Sequence, residues 1–341
     1  MKLIVLILLP LFIYANEQFR IGVLFWSNTI EGQVAMKKGL ENETDLINKQ
    51  VTKNGGKSIK LISFIAGDGE DGMENQLKQF NQLLSKNVDA IIVQPTDNAI
   101  LVPPLLEANK KSIPVVAYDQ YISQGKLESF ITSDNYQAGF LDGEYVSDKF
   151  KNKKELKIAL VEYPHVSSTV QRVDGFIDAL EKYKVNYKIV KRYEAVEPVA
   201  GAKVGLEILN DFPKKGSLDL IFAINDGGGI SLANKLIKAN RDDISMATVD
   251  GDPKSVAFLK QNKNIIIDSA QFCGAMGATA LRVTYEKLTG KNIAKNILLP
   301  VFPITKETKE MYQGWLAPIP KRFKKPWKSV TPYWDNKLKE R

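Results

Sequence analysis

Short apolar strands alternate with longer amphipathic helices along most of this chain, and the series runs twice. Residues 19–26 are rich in β-branched and aromatic side chains, which predicts a buried strand, whereas residues 32–48 carry apolar side chains at helical spacing. Similar pairs follow as far as residue 118, and a second series begins after Ser133. This alternation predicts parallel sheets with helices on both faces, and 341 residues are enough for two such α/β lobes. The other predicted strands are residues 57–65, 90–93, 114–118, 156–162, 187–193, 218–223, 245–249 and 264–270.

Cysteine and histidine are almost absent, which excludes several classes of enzyme. Cys273 is the only cysteine, so no disulfide can form within the chain. His165 is the only histidine, which leaves too few ligands for the usual zinc sites, and no nucleophile-elbow motif accompanies it for a catalytic triad. The net charge of +8 is spread over a large surface and does not indicate binding to nucleic acid. We therefore expect a protein that is not an enzyme, with no catalytic residues, no metal and no cofactor.

The first fifteen residues have the three parts of a secretory signal peptide. Lys2 gives a basic start, residues 3–14 form an apolar run, and Ala15 precedes a polar stretch. A membrane anchor is the alternative, but this run is too short to cross about 30 Å of hydrocarbon. We expect a mature chain of residues 16–341, and an exported chain without disulfides is typical of a bacterial periplasm.

The end of the chain, from residue 318, differs in character from the rest. It is rich in proline and aromatic residues, and eight of the residues from Lys321 onward are Lys or Arg. Proline argues against a helix or a central strand here. One interpretation is a strap whose aromatic side chains pack on the body while its charges stay in water. The other is a docking surface for a membrane component or an anionic head group.

Polar and aromatic side chains follow the predicted strands at their carboxyl ends. In open α/β sheets, ligands bind at this edge of the sheet. Carboxylates, amides and an arginine can together bind a neutral ligand with many hydroxyl groups, and Trp26 or Phe272 could lie against the apolar face of a sugar ring. Any one of these residues could instead be a helix cap or a turn residue. The candidate ligand-binding residues are Trp26, Asp119, Gln120, Arg172, Asn225, Asp250 and Gln271.

Eight segments spaced along the chain carry a resemblance to a known family. They are IGVLFW (21–26), VDAIIVQPTD (88–97), IPVVAYDQ (113–120), ITSDNYQAG (131–139), SSTVQRVDGF (167–176), LIFAINDGG (220–228), TVDGDP (248–253) and SAQ (269–271). Over residues 19–301 the chain resembles the type I periplasmic binding proteins, specifically the ribose- and galactose-binding group. The resemblance implies two lobes joined by a three-segment hinge, with the ligand in the cleft and closure on binding.

The same resemblance implies how the chain is divided and which residues touch the ligand. Lobe 1 would be residues 16–132 and 272–300, and lobe 2 residues 133–271 and 301–317, followed by a strap of residues 318–341. The family's sugar-contacting positions fall on these residues: Asp119 and Asp250 as acceptors, Arg172 as a donor, Asn225 and Gln271 as amides, and Trp26 as a first-lobe contact.

This chain also departs from the family pattern in its first lobe. The first loop of the family commonly carries an amide or acid followed by aromatics that sandwich the ring, and these positions fall on Ile30, Gly32 and Gln33. Gln120 stands where ribose binders often have arginine. The expected ligand is therefore sugar-like, but neither ribose nor glucose specifically is indicated.

The expected function is that of a periplasmic solute-binding protein that delivers a sugar-like ligand to the permease of an ABC importer. The alternative is a co-receptor that presents the ligand to a membrane sensor such as a histidine kinase, chemoreceptor or cyclase. We expect a monomer without a nucleic-acid partner. The ligand-binding core of a sugar-responsive repressor would share the fold, but no helix-turn-helix precedes residue 19.

Overall fold

The structure is a computed structural model that describes residues 18–164 and 166–340, without the side chains of residues 69 and 70. The predicted signal peptide and His165 lie outside the described residues. Within them, none of the helices combines the length and the apolar character needed to cross a membrane.

Strands and helices alternate from the first described residue to residue 305, as the sequence predicts. The first series is β1 (Gln18–Phe25), α1 (Glu31–Asn54), β2 (Ser58–Ile65), α2 (Gly69–Leu84), β3 (Ala90–Val93), α3 (Val102–Lys110), β4 (Val115–Tyr118) and β5 (Ser129–Ser133). The second is α4 (Asn135–Lys149), β6 (Leu156–Glu162), α5 (Ser167–Lys182), β7 (Tyr187–Glu194), α6 (Pro198–Asp211), β8 (Leu220–Ala223), α7 (Asp226–Lys238), β9 (Ser245–Asp250), α8 (Pro253–Lys260) and β10 (Ile265–Ala270). The remaining elements are α9 (Cys273–Leu288), β11 (Asn296–Leu299), β12 (Phe302–Thr305), β13 (Phe323–Lys324), β14 (Tyr333–Trp334) and β15 (Lys339–Glu340).

These elements form two separate, mainly parallel sheets. The first has the strand order β15-β11-β5-β4-β3-β1-β2, and the second has the order β12-β10-β9-β8-β6-β7. Only the edge strands β15 and β12 pair antiparallel with these sheets. The chain passes between the two sheets three times: from β5 to α4, from β10 to α9, and from β11 to β12. The predicted fold class of two α/β lobes is confirmed.

Each lobe buries apolar side chains on both faces of its sheet, as a doubly wound sheet requires. In β1, Val23 and Phe25 pack in the cluster that contains Met36 of α1, whereas Leu24 packs on the opposite face with Phe80 of α2. Successive strand residues point to opposite faces, so an uninterrupted apolar strand is the expected sequence for a sheet covered on both sides.

Several short elements were not predicted. They are β5, α8, β11 and β12, of which three are strands of four or five residues next to the crossovers. Beyond residue 318, β13 and β14 form a small hairpin, and β15 joins the edge of the first sheet. Pro332 directly precedes β14, and no proline lies within β13, β14 or β15.

Candidate ligand-binding site

The two lobes touch each other where the carboxyl ends of their strands meet. Gln120, which follows β4 in lobe 1, donates from Nε2 to Oγ of Ser168 in lobe 2 at 3.3 Å. Nearby, the Nζ of Lys254 on α8 lies 3.0 Å from the carboxylate of Glu31 on α1. These contacts place the strand ends of both lobes around one cleft.

The centre of the lobe 2 side is the buried guanidinium of Arg172 on α5. It donates from Nε to Oδ1 of Asn135 at 3.0 Å, and from Nη1 to the carbonyl of Ile224 at 2.8 Å and to Oδ1 of Asp250 at 3.0 Å. Three acceptors from three separate segments of the chain hold the guanidinium in one orientation. A guanidinium fixed in this way is preorganised to bind oxygen atoms.

Close packing of α4 against α5 brings Arg172 to this position. A Cβ added to Gly139 would lie 1.8 Å from the carbonyl oxygen of Arg172, and one added to Gly175 would lie 2.0 Å from that of Tyr136. Only glycine permits so close an approach of the two backbones. The two glycines therefore allow the Arg172 side chain to reach Asn135 at the start of α4.

Asp250 ends β9 and receives hydrogen bonds from two cleft residues. Its Oδ1 accepts from Arg172 and, at 2.6 Å, from Nε2 of Gln271. The backbone carbonyl of Asp250 accepts from Nε1 of Trp315 at 2.7 Å. Both side-chain hydrogen bonds end on Oδ1, and the side chain is 22% exposed, so Oδ2 remains available to a further donor.

Buried acids beneath Asp250 fix the turn that follows it. The Oδ2 of Asp226 accepts from the backbone N–H of Asp252 at 2.7 Å, and Oδ1 of Asp268 accepts from that of Gly251 at 2.9 Å. Burial raises the pKa of both carboxyl groups, that of Asp268 to about 8. At neutral pH the carboxyl group of Asp268 is therefore mostly protonated, and both carboxyl groups serve as hydrogen-bonding supports for the loop.

On the lobe 1 side, Gln94 positions Asp119. Gln94 follows β3, and its Nε2 donates to Oδ2 of Asp119 at 3.0 Å. Its Oε1 accepts from the backbone N–H of Trp26 at 3.3 Å. One amide thus ties together the ends of three neighbouring strands, β1, β3 and β4.

Both aspartates have a backbone conformation that side-chain-bearing residues seldom adopt. The φ angle is +66° at Asp119 and +130° at Asp250, and each residue lies at the carboxyl end of a strand. Such angles cost of order 1–3 kcal/mol and are concentrated at binding and active sites. The strain marks the same two positions as the polar contacts do.

The two carboxylates also influence each other across the cleft. Burial raises the pKa of Asp119, whereas the hydrogen bond from Gln94 and the nearby charge of Arg172 lower it, and the charge of Asp250 raises it again. Asp119, Arg172 and Asp250 therefore belong to one electrostatic unit, although they come from both lobes.

The remaining predicted residues have mixed roles. Asn225 caps α7: its Oδ1 accepts from the N–H of Gly228 at 3.2 Å, and its Nδ2 donates to the carbonyl of Val196 at 2.9 Å. Gln120 has a buried Oε1 that accepts no hydrogen bond from the described residues. Trp26 is half-buried at the end of β1. Phe272, the other aromatic considered for ring stacking, is fully buried in the core and is therefore not available to a ligand.

Sequence reasoning missed three residues of this site: Gln94, Asn135 and Trp315. Gln94 is the first residue after β3, a correctly predicted strand. The rule that ligands bind at the carboxyl ends of the strands would therefore have found it. Asn135 and Trp315 have no such signal, because they reach the site through helix packing and a long-range return of the chain. Among the described residues, no group of three or more His, Cys, Asp or Glu side chains is arranged to hold a metal ion.

A family model described as a periplasmic binding protein domain matches residues 21–292. The chain belongs to the periplasmic binding protein family. It is 28% identical over 288 residues to the ribose import binding protein RbsB of Bacillus subtilis, and the aligned region covers 84% of this chain and 87% of that protein. The predicted family is thus confirmed over most of the chain.

Solved structures show the same two-lobed fold. An ABC transporter periplasmic solute-binding protein of Actinobacillus succinogenes, solved with bound D-allose, has a TM-score of 0.75 at 24% identity and covers 86% of this chain and 100% of its own. A solute-binding protein of Bacillus halodurans, solved with bound myo-inositol, has a TM-score of 0.74 at 22% identity, with 86% of this chain and 97% of that chain covered. At these identities the likeness establishes the fold.

Proposed function

We propose that this protein is a periplasmic solute-binding protein that encloses a small, polyhydroxylated, sugar-like ligand between its lobes and passes it to an ABC importer. The observation that carries the proposal is the unit formed by Asp119 of lobe 1 with Asp250 and Arg172 of lobe 2. A ligand bound by this unit contacts both lobes at once, so its binding energy favours the closed arrangement.

The chemistry of the unit suits hydroxyl groups. Each hydroxyl can donate to a carboxylate and accept from a guanidinium or amide N–H, and charge-assisted hydrogen bonds of this kind are the stronger ones. The free Oδ2 of Asp250 and the buried Oε1 of Gln120 are two acceptors available to such donors. A ligand that lacks one of these hydroxyls leaves a buried acceptor unpaired, which gives the site its selectivity.

The relatives support this class of ligand. Their names or bound molecules are ribose, D-allose and myo-inositol, which are all neutral rings carrying several hydroxyl groups. The altered first loop, with Ile30, Gly32 and Gln33, gives no specific support to ribose or to glucose as the ligand.

A thermal-shift screen of the mature chain tests the proposal. Monosaccharides, polyols, sugar acids and nucleosides are compared, and a ligand at one hundred times its Kd stabilises the protein by about 2.7 kcal/mol. We expect a shift with one or a few sugars or polyols. The absence of any shift with them, or a shift with nucleosides only, would contradict a sugar-like ligand.

Paired variants then test the site with the sugar or polyol found in the screen. Asp250→Asn should weaken binding of this compound at least tenfold, as measured by calorimetry, because the buried guanidinium of Arg172 loses its charged partner. Asp174→Asn is the control, since Asp174 is exposed on the same helix as Arg172. Equal affinities of the two variants would show that the site lies elsewhere.

The handover to a membrane partner has its own test. Uptake of the same compound into proteoliposomes that contain the permease should require this protein. If the protein instead changes the output of a membrane sensor and supports no uptake, the importer role is wrong and the co-receptor role replaces it.

A further inference from the structure

The C-terminal strap, residues 318–340, is firmly attached to lobe 2. The Nζ of Lys325 lies 2.9 and 2.8 Å from the two carboxylate oxygens of Glu144 on α4, and these side chains are 2% and 0% exposed. Trp327 is buried edge-on against Tyr145, with ring centroids 5.3 Å apart. Removing one partner of such a buried ion pair is strongly destabilising, so this part of the strap moves with lobe 2.

The next part of the strap is bonded to the hinge itself. The indole Nε1 of Trp334 donates to the carbonyl of Val301 at 2.6 Å, and its ring packs edge-on against Phe302. Val301 lies in the crossover between β11 and β12. The strap is therefore anchored at one of the three crossovers on which the lobes would turn.

The last residues of the strap attach to lobe 1 and to a second crossover. β15 pairs antiparallel with β11, with Lys339 opposite Leu298 and Glu340 opposite Ile297. The Nζ of Lys339 lies 2.5 Å from the carboxylate of Asp134, the residue that joins β5 to α4 and caps α4. Between Trp334 and Lys339 the chain has only four residues, so the two attachments are closely tethered.

We propose that the strap is a releasable brace across the hinge, which limits how far the lobes separate. Because it joins lobe 2 to lobe 1 beside two of the crossovers, wide opening must either stretch residues 335–338 or detach β15. The proposal rests on the hinge movement of the proposed function and adds to the three crossovers a non-covalent connection between the lobes at the hinge.

The two ends of the brace differ in strength, and this determines which end releases. The lobe 2 end is held by a buried ion pair and two buried tryptophans. The lobe 1 end is held by a two-residue strand and by Lys339, whose side chain is 53% exposed. The Asp134 side chain is 9% exposed, so its ion pair with Lys339 is the main side-chain attachment of this end. One half-exposed lysine and a two-residue strand hold less firmly than a buried ion pair and two buried tryptophans, so β15 is the end that detaches when the lobes open.

Interlobe distances measured without ligand test the brace. Spin labels are placed on cysteines introduced at Glu74 of α2 and Lys203 of α6, which are exposed and lie beside the sheet edges farthest from the hinge. Cys273 is buried and stays in place. Removal of residues 336–341 should at least double the fraction of molecules with long distances in pulsed electron resonance. Unchanged distances in a truncated chain that is still folded would overturn the proposal.

Two single substitutions keep the test valid if the truncated chain does not fold. Lys339→Ala removes the ion pair to Asp134 and should move the distances in the same direction as truncation. Lys337→Ala, at an exposed lysine two residues earlier, is the matched control and should behave as the unaltered chain. Identical distances in the two variants would refute the brace. Since no ligand is used, failure of the sugar screen would leave this result standing.

Discussion

Replacing Arg172 with alanine removes the central donor of the cleft. The substitution removes the Arg172 hydrogen bonds to the oxygens of Asn135 and Ile224, which lie in buried surroundings, and to the carboxylate of Asp250. Oδ1 of Asp250 keeps its hydrogen bond from Gln271 but loses its charged partner. Breaking a buried ion pair on one side costs about 3–5 kcal/mol. Because Asp250 is 22% exposed, water can solvate part of its charge, so we expect the lower end of this range, about 3 kcal/mol.

Urea unfolding followed by tryptophan fluorescence measures this loss as a change in the free energy of unfolding. The matched control is Arg192→Ala, because Arg192 pairs with Glu162 in the same lobe but is 55% exposed. Exposed pairs contribute about 0–1 kcal/mol, so the control should change stability only slightly. A double-mutant cycle with Asp250→Asn should show a coupling energy of about 1 kcal/mol or more.

The reasoning would be refuted if Arg172→Ala lost no more stability than Arg192→Ala. That result would mean that the hydrogen bonds of the guanidinium to its three acceptors are no more favourable than its hydrogen bonds to water. A large loss of stability combined with additive energies in the cycle would contradict the assignment of Asp250 as its charged partner.

Four further predictions follow from single sites. Burial raises the pKa of Asp268 to about 8, so the folded state keeps a proton that the unfolded state loses above about pH 4. The free energy of unfolding should therefore fall as the pH rises from 4 to 8. Asp268→Asn should make this fall smaller, as measured by melting temperatures across that range. Hydrogen bonds from neighbouring lysines lower the pKa of Glu128 to about 2, so its contribution to stability is present at neutral pH and is lost as the pH falls towards 2. Glu128→Gln should therefore lower Tm at pH 7 but not at pH 2. The loss at pH 7 should be smaller in 1 M salt, where the Debye length is about 3 Å. Gly139→Ala should cost more than about 2 kcal/mol in urea unfolding, because the new methyl group meets the Arg172 carbonyl oxygen. Trp315→Phe removes one hydrogen-bond donor and should cost about 1 kcal/mol in the same assay, and an unchanged protein would show that this bond contributes nothing.

The longer strands of the fold could be predicted from the sequence alone, whereas the short strands next to the crossovers could not. β6 is predicted to the residue, and β7 and β9 are each predicted to within one residue, because their hydrophobic patterns are local. In contrast, β11 has only four residues, and it is a strand because β5 offers it a parallel partner more than 160 residues away along the chain. No local pattern distinguishes such a segment from a loop.

The C-terminal strap shows the same division. One of the two interpretations of its composition is a strap whose aromatic side chains pack on the body, and Trp327 and Trp334 are buried. The sequence does not show that Lys325, one of many lysines, is the buried one. Its partner Glu144 is 181 residues away, and only the folded chain brings the two together.

The candidate site divides along the same line. Sequence reasoning proposed Asp119, Arg172 and Asp250 as site residues. Asp119 and Asp250 follow predicted strands, Arg172 lies in the helix after another strand, and the strand ends of a parallel sheet share one edge. The tertiary structure decided how these residues are paired, which oxygen of Asp250 stays available, and that Asn225 caps a helix. Periodicity along the chain determines which side chains reach an edge of a sheet, but hydrogen-bond partners depend on distances that the two lobes set only when they meet.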